Sequence, residues 1–97
     1  MPKAYWVAAH MTIKDSEKLK IYADVAAPAI AAQNGRYLAR GGKVVSLEGF
    51  NQSRVVVVEF PNLQAAVDCY NSEAYQSALV KLDKGVERDI CIVEGLD

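Results

Sequence analysis

Residues 4–13, AYWVAAHMTI, are apolar on both faces and carry an aromatic pair, which predicts a buried first strand. Asp15 or Ser16 can then cap a helix. Leu19, Tyr22, Val25, Ala26, Ala29 and Ile30 recur at three- and four-residue spacing, so that helix has one apolar stripe, ending near Asn34-Gly35. Pro28 removes a backbone donor inside it and is expected to kink the helix or split it after Ala27. A second strand is expected over residues 36–47, with Gly41-Gly42 as a bulge or bend, followed by the connecting turn LEGFNQS. Residues 54–60, RVVVVEF, have the strongest strand character because four successive valines suit an extended backbone.

Pro61 stops that strand. Asn62 can cap a short helix carrying Leu63, Ala66, Val67 and Tyr70. A second cap at Asn71 or Ser72 starts another helical run through Ala74, Tyr75, Ala78, Leu79 and Leu82, which Gly85 can close. Residues 88–94, RDICIVE, read as the last strand. The order βαββαβ with right-handed crossovers gives an α+β fold: a four-stranded antiparallel sheet with its helices on one face, the ferredoxin-like plait.

Such a sheet leaves one face bare, and a bare face should alternate apolar with polar. These strands do not alternate. Val55 and Val57 oppose Val56, Val58 and Phe60, and Ile90 and Ile92 oppose Cys91 and Val93. Both faces require burial, and a twofold homodimer with its sheets face to face is the simplest closed solution.

Composition narrows the partners. The 97 residues suit one domain spanning 1–97, and a 52% hydrophobic content can fill one core. Eleven Lys and Arg nearly balance twelve Asp and Glu, so no strong field draws the chain to nucleic acid or an anionic membrane. No apolar run reaches the roughly 20 residues that span a bilayer, and the apolar stretch after Lys3 is shorter than a signal-peptide core. The expected location is the cytoplasm. Cys69 and Cys91 are isolated and read as small hydrophobes. No nucleotide, flavin or metal motif is present, so no cofactor is expected.

The runs RYLARGG, RVVVVEFPNLQAAVDCYNSEAYQSA and the closing IVEG resemble the domain-of-unknown-function 1330 family of small bacterial proteins. The most specific pieces are Ala39-Arg40-Gly41-Gly42, Glu48-Gly49, Arg54 with the valines, Glu59-Phe60-Pro61 and Tyr70-Asn71-Ser72 to Tyr75. The resemblance implies the dimeric α/β-barrel superfamily, with the same plait and face-to-face dimer. It implies no single activity, because relatives in that superfamily range from cofactor-free monooxygenases to small-ligand-binding and stress proteins. Cys69 stands where the family often has an aromatic residue, and Leu82 where an arginine is frequent.

Several side chains are candidates for chemistry. His10, the only histidine, falls by period-two counting on the face of Trp6 and Ala8 and can act as a general base. Glu59 ends an apolar strand, where burial can raise its proton affinity, or where it can pair with an arginine. Tyr70, Ser72 and Tyr75 surround a helix break and can orient a ligand, although such tyrosines also serve as core wedges and Ser72 as a cap. In RYLARGG, period-two geometry puts Arg36, Leu38 and Arg40 on one face, with the arginines roughly 7 Å apart. A buried Arg40 would need a carboxylate such as Glu48 or Glu59, and an unpaired one beside a pocket would be a ligand-binding candidate.

Two functions fit these residues. One is a cofactor-free small-molecule enzyme with a pocket between sheet and helices, His10 or Glu59 as base, and Arg40 or Arg54 stabilising negative charge. The other is a dimeric module that binds a small ligand, or a partner, without making or breaking bonds. Convergence of His10, Glu59 and an arginine on one pocket would favour the first.

Overall fold

The AYWVAAHMTI run forms strand β1, Ala4–Ile13, in a computed structural model that describes residues 2–97. It is followed by α1 (Ser16–Ala32), β2 (Arg36–Arg40), β3 (Val56–Phe60), α2 (Leu63–Asn71), α3 (Glu73–Leu82) and β4 (Val86–Glu94). Each helix starts on a side chain that accepts otherwise orphaned N–H groups. The Asp15 carboxylate accepts from Glu17 and Lys18, Asn62 Oδ1 from Ala65, and Ser72 Oγ from Tyr75.

The sheet order is β2-β3-β1-β4, with every neighbouring pair antiparallel. This is the expected ferredoxin-like α+β fold. The helices cover the face that carries Ala4, Trp6, Val58 and Phe60, against which Tyr22, Ala26, Ala66, Cys69, Tyr75 and Ala78 are buried. Small side chains on both sides let helix and sheet approach closely around a few large aromatic ones.

Four expectations about the chain are corrected. The second strand ends at Arg40 instead of residue 47, because Gly41 adopts φ +72° and turns the chain off the sheet edge. Residues 41–55 then form a long irregular connection, so β3 begins at Val56 instead of Arg54. At the other edge, β4 begins at Val86, two residues before the expected start, because Val86 and Glu87 pair with Ile13 and Thr12. Pro28 does not divide α1, which runs unbroken from Ser16 to Ala32. Pro28 and Asp24 are both exposed, so the Asp24 carbonyl that loses its donor can be hydrated.

The two central corrections concern which side chains share a face. Between Ala9 and Thr12 the β1–β4 register shifts, and His10 adopts φ +53°. This bulge puts Met11 in the interior, 2% exposed, and turns His10 outward. His10 therefore does not share the face of Trp6 and Ala8. A second shift, between Tyr37 and Ala39, leaves Leu38 as the extra residue. Arg36 then pairs with Glu59 on the uncovered face while Arg40 pairs with Val56 on the helix face, so the two arginines are on opposite sides.

Gly35 joins α1 to β2 by closeness, since Asn34 and not Gly35 adopts the left-handed conformation, at φ +62°. A Cβ on Gly35 would lie 2.5 Å from Ile30 Cγ2, 2.8 Å from Phe60 Cε1 and 2.9 Å from the Ile30 carbonyl. Gly35→Ala is expected to lower the urea-unfolding free energy by about 1–3 kcal/mol with an unchanged far-UV spectrum. A loss below about 0.5 kcal/mol would show that the junction yields freely.

Candidate functional site

The bulges distribute the candidate residues over separate surfaces. His10 Nδ1 lies 3.1 Å from Asp89 Oδ2, its backbone N–H donates to Gln52 Oε1 at 2.8 Å, and its ring meets Phe50 edge-on. Glu59 is on the uncovered face, where Arg36 approaches one carboxylate oxygen at 3.1 Å and Lys3 at 3.5 Å. It pairs across the sheet with Tyr5, five residues before His10 on β1, which separates the two by roughly 17 Å. His10, Glu59 and an arginine do not converge on one pocket in this chain.

Arg40 is paired with neither Glu48 nor Glu59 among the described residues. Its guanidinium lies 4.1 Å from the centroid of the Tyr37 ring, a cation–π contact. Arg54 packs against Gly41, where a Cβ would meet its Nη1 at 3.1 Å, and its buried Nε has no hydrogen-bond partner. The Ser72 hydroxyl serves the helix break, donating to the Cys69 carbonyl at 2.7 Å while accepting from the Tyr75 N–H. Tyr70 and Tyr75 both pack on Trp6, with ring centroids 6.0 and 4.8 Å away.

That aromatic packing frames a cleft between sheet and helices. Trp6 forms its floor, and its indole N–H donates to the Ala66 carbonyl at 3.2 Å. Two spaces meet at Trp6 and Ile90. The narrower has a volume of about 30 Å³ and is bounded by Ala8, Tyr22, Tyr37 and Arg88; the wider, about 240 Å³, lies beside Tyr70, Cys91 and Ile92. The walls are mostly apolar, as in small-molecule sites generally.

Arg88 is the polar feature of the cleft that the sequence reading overlooked. Its Nη2 donates to the hydroxyl oxygens of Tyr75 at 3.2 Å and Tyr22 at 3.4 Å, and those hydroxyls share a hydrogen bond of 2.5 Å. Burial, followed by the effect of Tyr22, raises the Tyr75 pKa well above its ordinary value of 10.0. Burial opposes the Arg88 charge, but the oxygens of Tyr22 and Tyr75 outweigh it and hold the guanidinium proton more firmly than usual. The signal for Arg88 was present in the sequence: by alternation it shares a face with Ile90 and Ile92. A cation in an apolar row is a stronger pointer than the lone histidine.

Cys69, fully buried in the core, is inert by the same physics, its thiol raised to about 11 by burial. Among the described residues no group of three or more His, Cys, Asp or Glu side chains is gathered to hold a metal, and no helix is long and apolar enough to cross a membrane.

The family model for the Domain of unknown function DUF1330 matches residues 3–96. The chain belongs to this family. Among solved structures, the DUF1330 chain is similar to RPA0582, a protein of unknown function from Rhodopseudomonas palustris, with a TM-score of 0.80 at 14% identity over 99% of this chain and 84% of that one. It is similar to SnoaB, a cofactor-independent oxygenase from Streptomyces nogalater, with a TM-score of 0.68 at 12% identity over 100% and 96% of the two chains. A dimeric ferredoxin-like protein of unknown function from Thermobifida fusca aligns with a TM-score of 0.62 at 13% identity over 96% and 91%. At these identities the likeness is one of fold. No curated protein sequence matches the chain.

The Tyr75 environment has a measurable consequence. A phenol whose folded pKa is raised stabilises the protein fully below its unfolded pKa, and this contribution is lost as pH climbs toward the folded value. Thermal stability is therefore expected to fall as pH rises above the ordinary value of 10.0, and Tyr75→Phe should make that fall shallower. Melting curves between neutral and alkaline pH check this; parallel profiles for the two proteins would remove Tyr75 as the source.

Proposed function

We propose that this DUF1330 protein is a homodimeric small-molecule-binding module whose ligand lies in the cleft between sheet and helices. The observation that carries the reading is the pair of adjacent spaces that share Trp6 and Ile90 as walls, mostly apolar and with one cationic group, Arg88, at the narrow one. Binding is favoured over catalysis because His10 and Glu59, the candidate bases, both lie outside the cleft. His10 is turned out by its bulge, and Glu59 is on the uncovered face, held by Arg36 and Lys3. Tyr70 contributes ring surface to the ligand, Tyr75 is fully buried against Trp6, and Ser72 serves the helix break.

The catalytic alternative has one observation in its favour. His10 Nδ1 lies 3.1 Å from the Asp89 carboxylate, which places an imidazole beside a carboxylate at this end of β1. SnoaB, of similar fold, is a cofactor-independent oxygenase, which makes cofactor-free chemistry the form such an alternative would take. In that form Arg40, Arg54 or Arg88 would stabilise negative charge.

The dimer rests on the uncovered sheet face, where Val7, Val57, Cys91 and Val93 lie together by register, and Val93 is 52% exposed in the single chain. The Thermobifida fusca neighbour is described as dimeric. A second copy set face to face would remove this surface from water. The helix-side cleft would stay on the outside of the pair.

Two measurements test the proposal. Light scattering should give the mass of two 10.6 kDa chains, and Val93→Lys, at the edge strand, should shift it toward one. A wild-type mass of one chain overturns the dimer. Calorimetric titration with the neutral probe 2-naphthamide should give saturable binding that Ile90→Phe, at the meeting point of the two spaces, weakens at least roughly tenfold. Absence of binding overturns the cleft reading, and conversion of the probe to a product that His10→Ala prevents would favour the enzyme instead.

A further inference from the structure

The surroundings of Arg88 indicate which chemical group the narrow end of the cleft accepts. Arg88 faces the helices with Ile90 and Ile92, whereas its sequence neighbours Glu87 and Asp89 point to the other side of β4. There Glu87 pairs with Lys14, and Asp89 lies against His10. The strand's alternation thus denies Arg88 both adjacent carboxylates. Among the described residues no other carboxylate is within ion-pair reach, so a half-buried guanidinium has only neutral partners. A charge held this way is stabilised by hydrogen bonds but not neutralised.

A guanidinium has five N–H donors, and the two tyrosine contacts both come from Nη2, which leaves the Nη1 and Nε donors without a protein acceptor among the described residues. The two phenols carry two protons, of which their mutual hydrogen bond uses one. The other has no acceptor within the cluster. The unused capacity of the trio is therefore mostly donor, with a single phenol lone pair left over. Arg40, which is exposed, stacks on the ring of Tyr37 and does not line the narrow space, so Arg88 is the cation that faces it.

We infer that Arg88, held by the Tyr22 and Tyr75 hydroxyls, is a carboxylate-binding head site, so that the ligand of the cleft is an apolar body carrying one carboxylate. The wide space beside Tyr70 and Ile92 takes the body, and the narrow space, about 30 Å³, takes the head group. A carboxylate there supplies the acceptor oxygens that the trio lacks, through charge-assisted hydrogen bonds. This inference rests on the cleft being the ligand site, and its test separates the two.

The test compares 2-naphthoate with its neutral counterpart 2-naphthamide by calorimetry in the intact protein. Wild type is expected to bind the carboxylate at least roughly tenfold more tightly than the amide, the scale of one charge-assisted contact. In Arg88→Met that ratio should fall to about one, and in Arg88→Lys, which keeps the charge but not the planar fork, it should be intermediate. Should Arg88→Met fail to fold, Tyr75→Phe is the second variant and should reduce the ratio several-fold. Equal affinity for the two probes in wild type overturns the head site while leaving the cleft reading standing, as does a preference that survives both Arg88→Met and Tyr75→Phe. Failure of both probes to bind overturns both.

Discussion

Trp6 is the residue around which this fold is organised. An indole 3% exposed must satisfy its N–H without water, and the Ala66 carbonyl is the acceptor it finds. That bond ties the first strand to α2 across sixty residues of sequence. Phe60, Tyr70 and Tyr75 then pack around the same ring with centroids 4.8–6.0 Å away. Fully buried alanines at positions 4, 26, 66 and 78 leave room for this group. The cleft is a consequence of that packing: wide rings among very small side chains fill the layer unevenly, and the remaining space is lined by what the rings do not cover.

The second organising device is the pair of bulges. A strand's period-two alternation sorts its side chains by face, and one extra residue inverts the sorting beyond it. In β1 the inversion exchanges His10 for Met11 in the interior. In β2 it carries Arg40 to the helix side while Arg36 remains with Glu59. Neither bulge has a strong sequence signature, since His10 and Leu38 are not residues that announce a left-handed or irregular backbone. For this reason elements were easier to read than faces. The strand and helix order followed from apolar spacing, capping residues and Pro61. The orientation of His10 and of Arg40 depended on two single-residue register shifts that only pairing with neighbouring strands imposes.

The site was legible in part for a related physical reason. Tyr70 and Tyr75 stand out as large polar-tipped rings in a helical stripe; Tyr70 lines the wide space, whereas Tyr75 is fully buried and reaches it only through Trp6 and the Arg88 cluster. Arg88 was overlooked although its position between two acidic residues is informative once faces are assigned. A Glu-Arg-Asp run looks like an exposed, self-compensating patch when read along the chain. Read across a strand, it is a cation on one side and two anions on the other. The valine-rich β3 misleads in the opposite direction, because it marks Glu59 as a carboxylate trapped in an apolar strand, whereas Arg36 on the neighbouring strand and Lys3 reach it from the uncovered face.

The separation of charge across the sheet also constrains how the two faces can be used. On the uncovered side Glu59 is matched by Arg36 and Lys3, Asp89 by His10 and Glu87 by Lys14, so each of these carboxylates has a partner within the chain. What remains there for association is the apolar surface of Val7, Val57 and Val93, and burying it leaves no unpaired carboxylate among these groups. On the helix side the balance is reversed, with Arg88 and Arg40 resting on phenols and ring faces and no carboxylate beside them. A surface whose charges are internally matched suits contact with an identical surface, because twofold symmetry brings each group opposite its own copy's neighbours and tolerates no net sign. A cleft with unmatched positive charge suits a small partner of opposite sign. The same alternation that places Arg88 apart from Glu87 and Asp89 therefore equips the two faces for different partners.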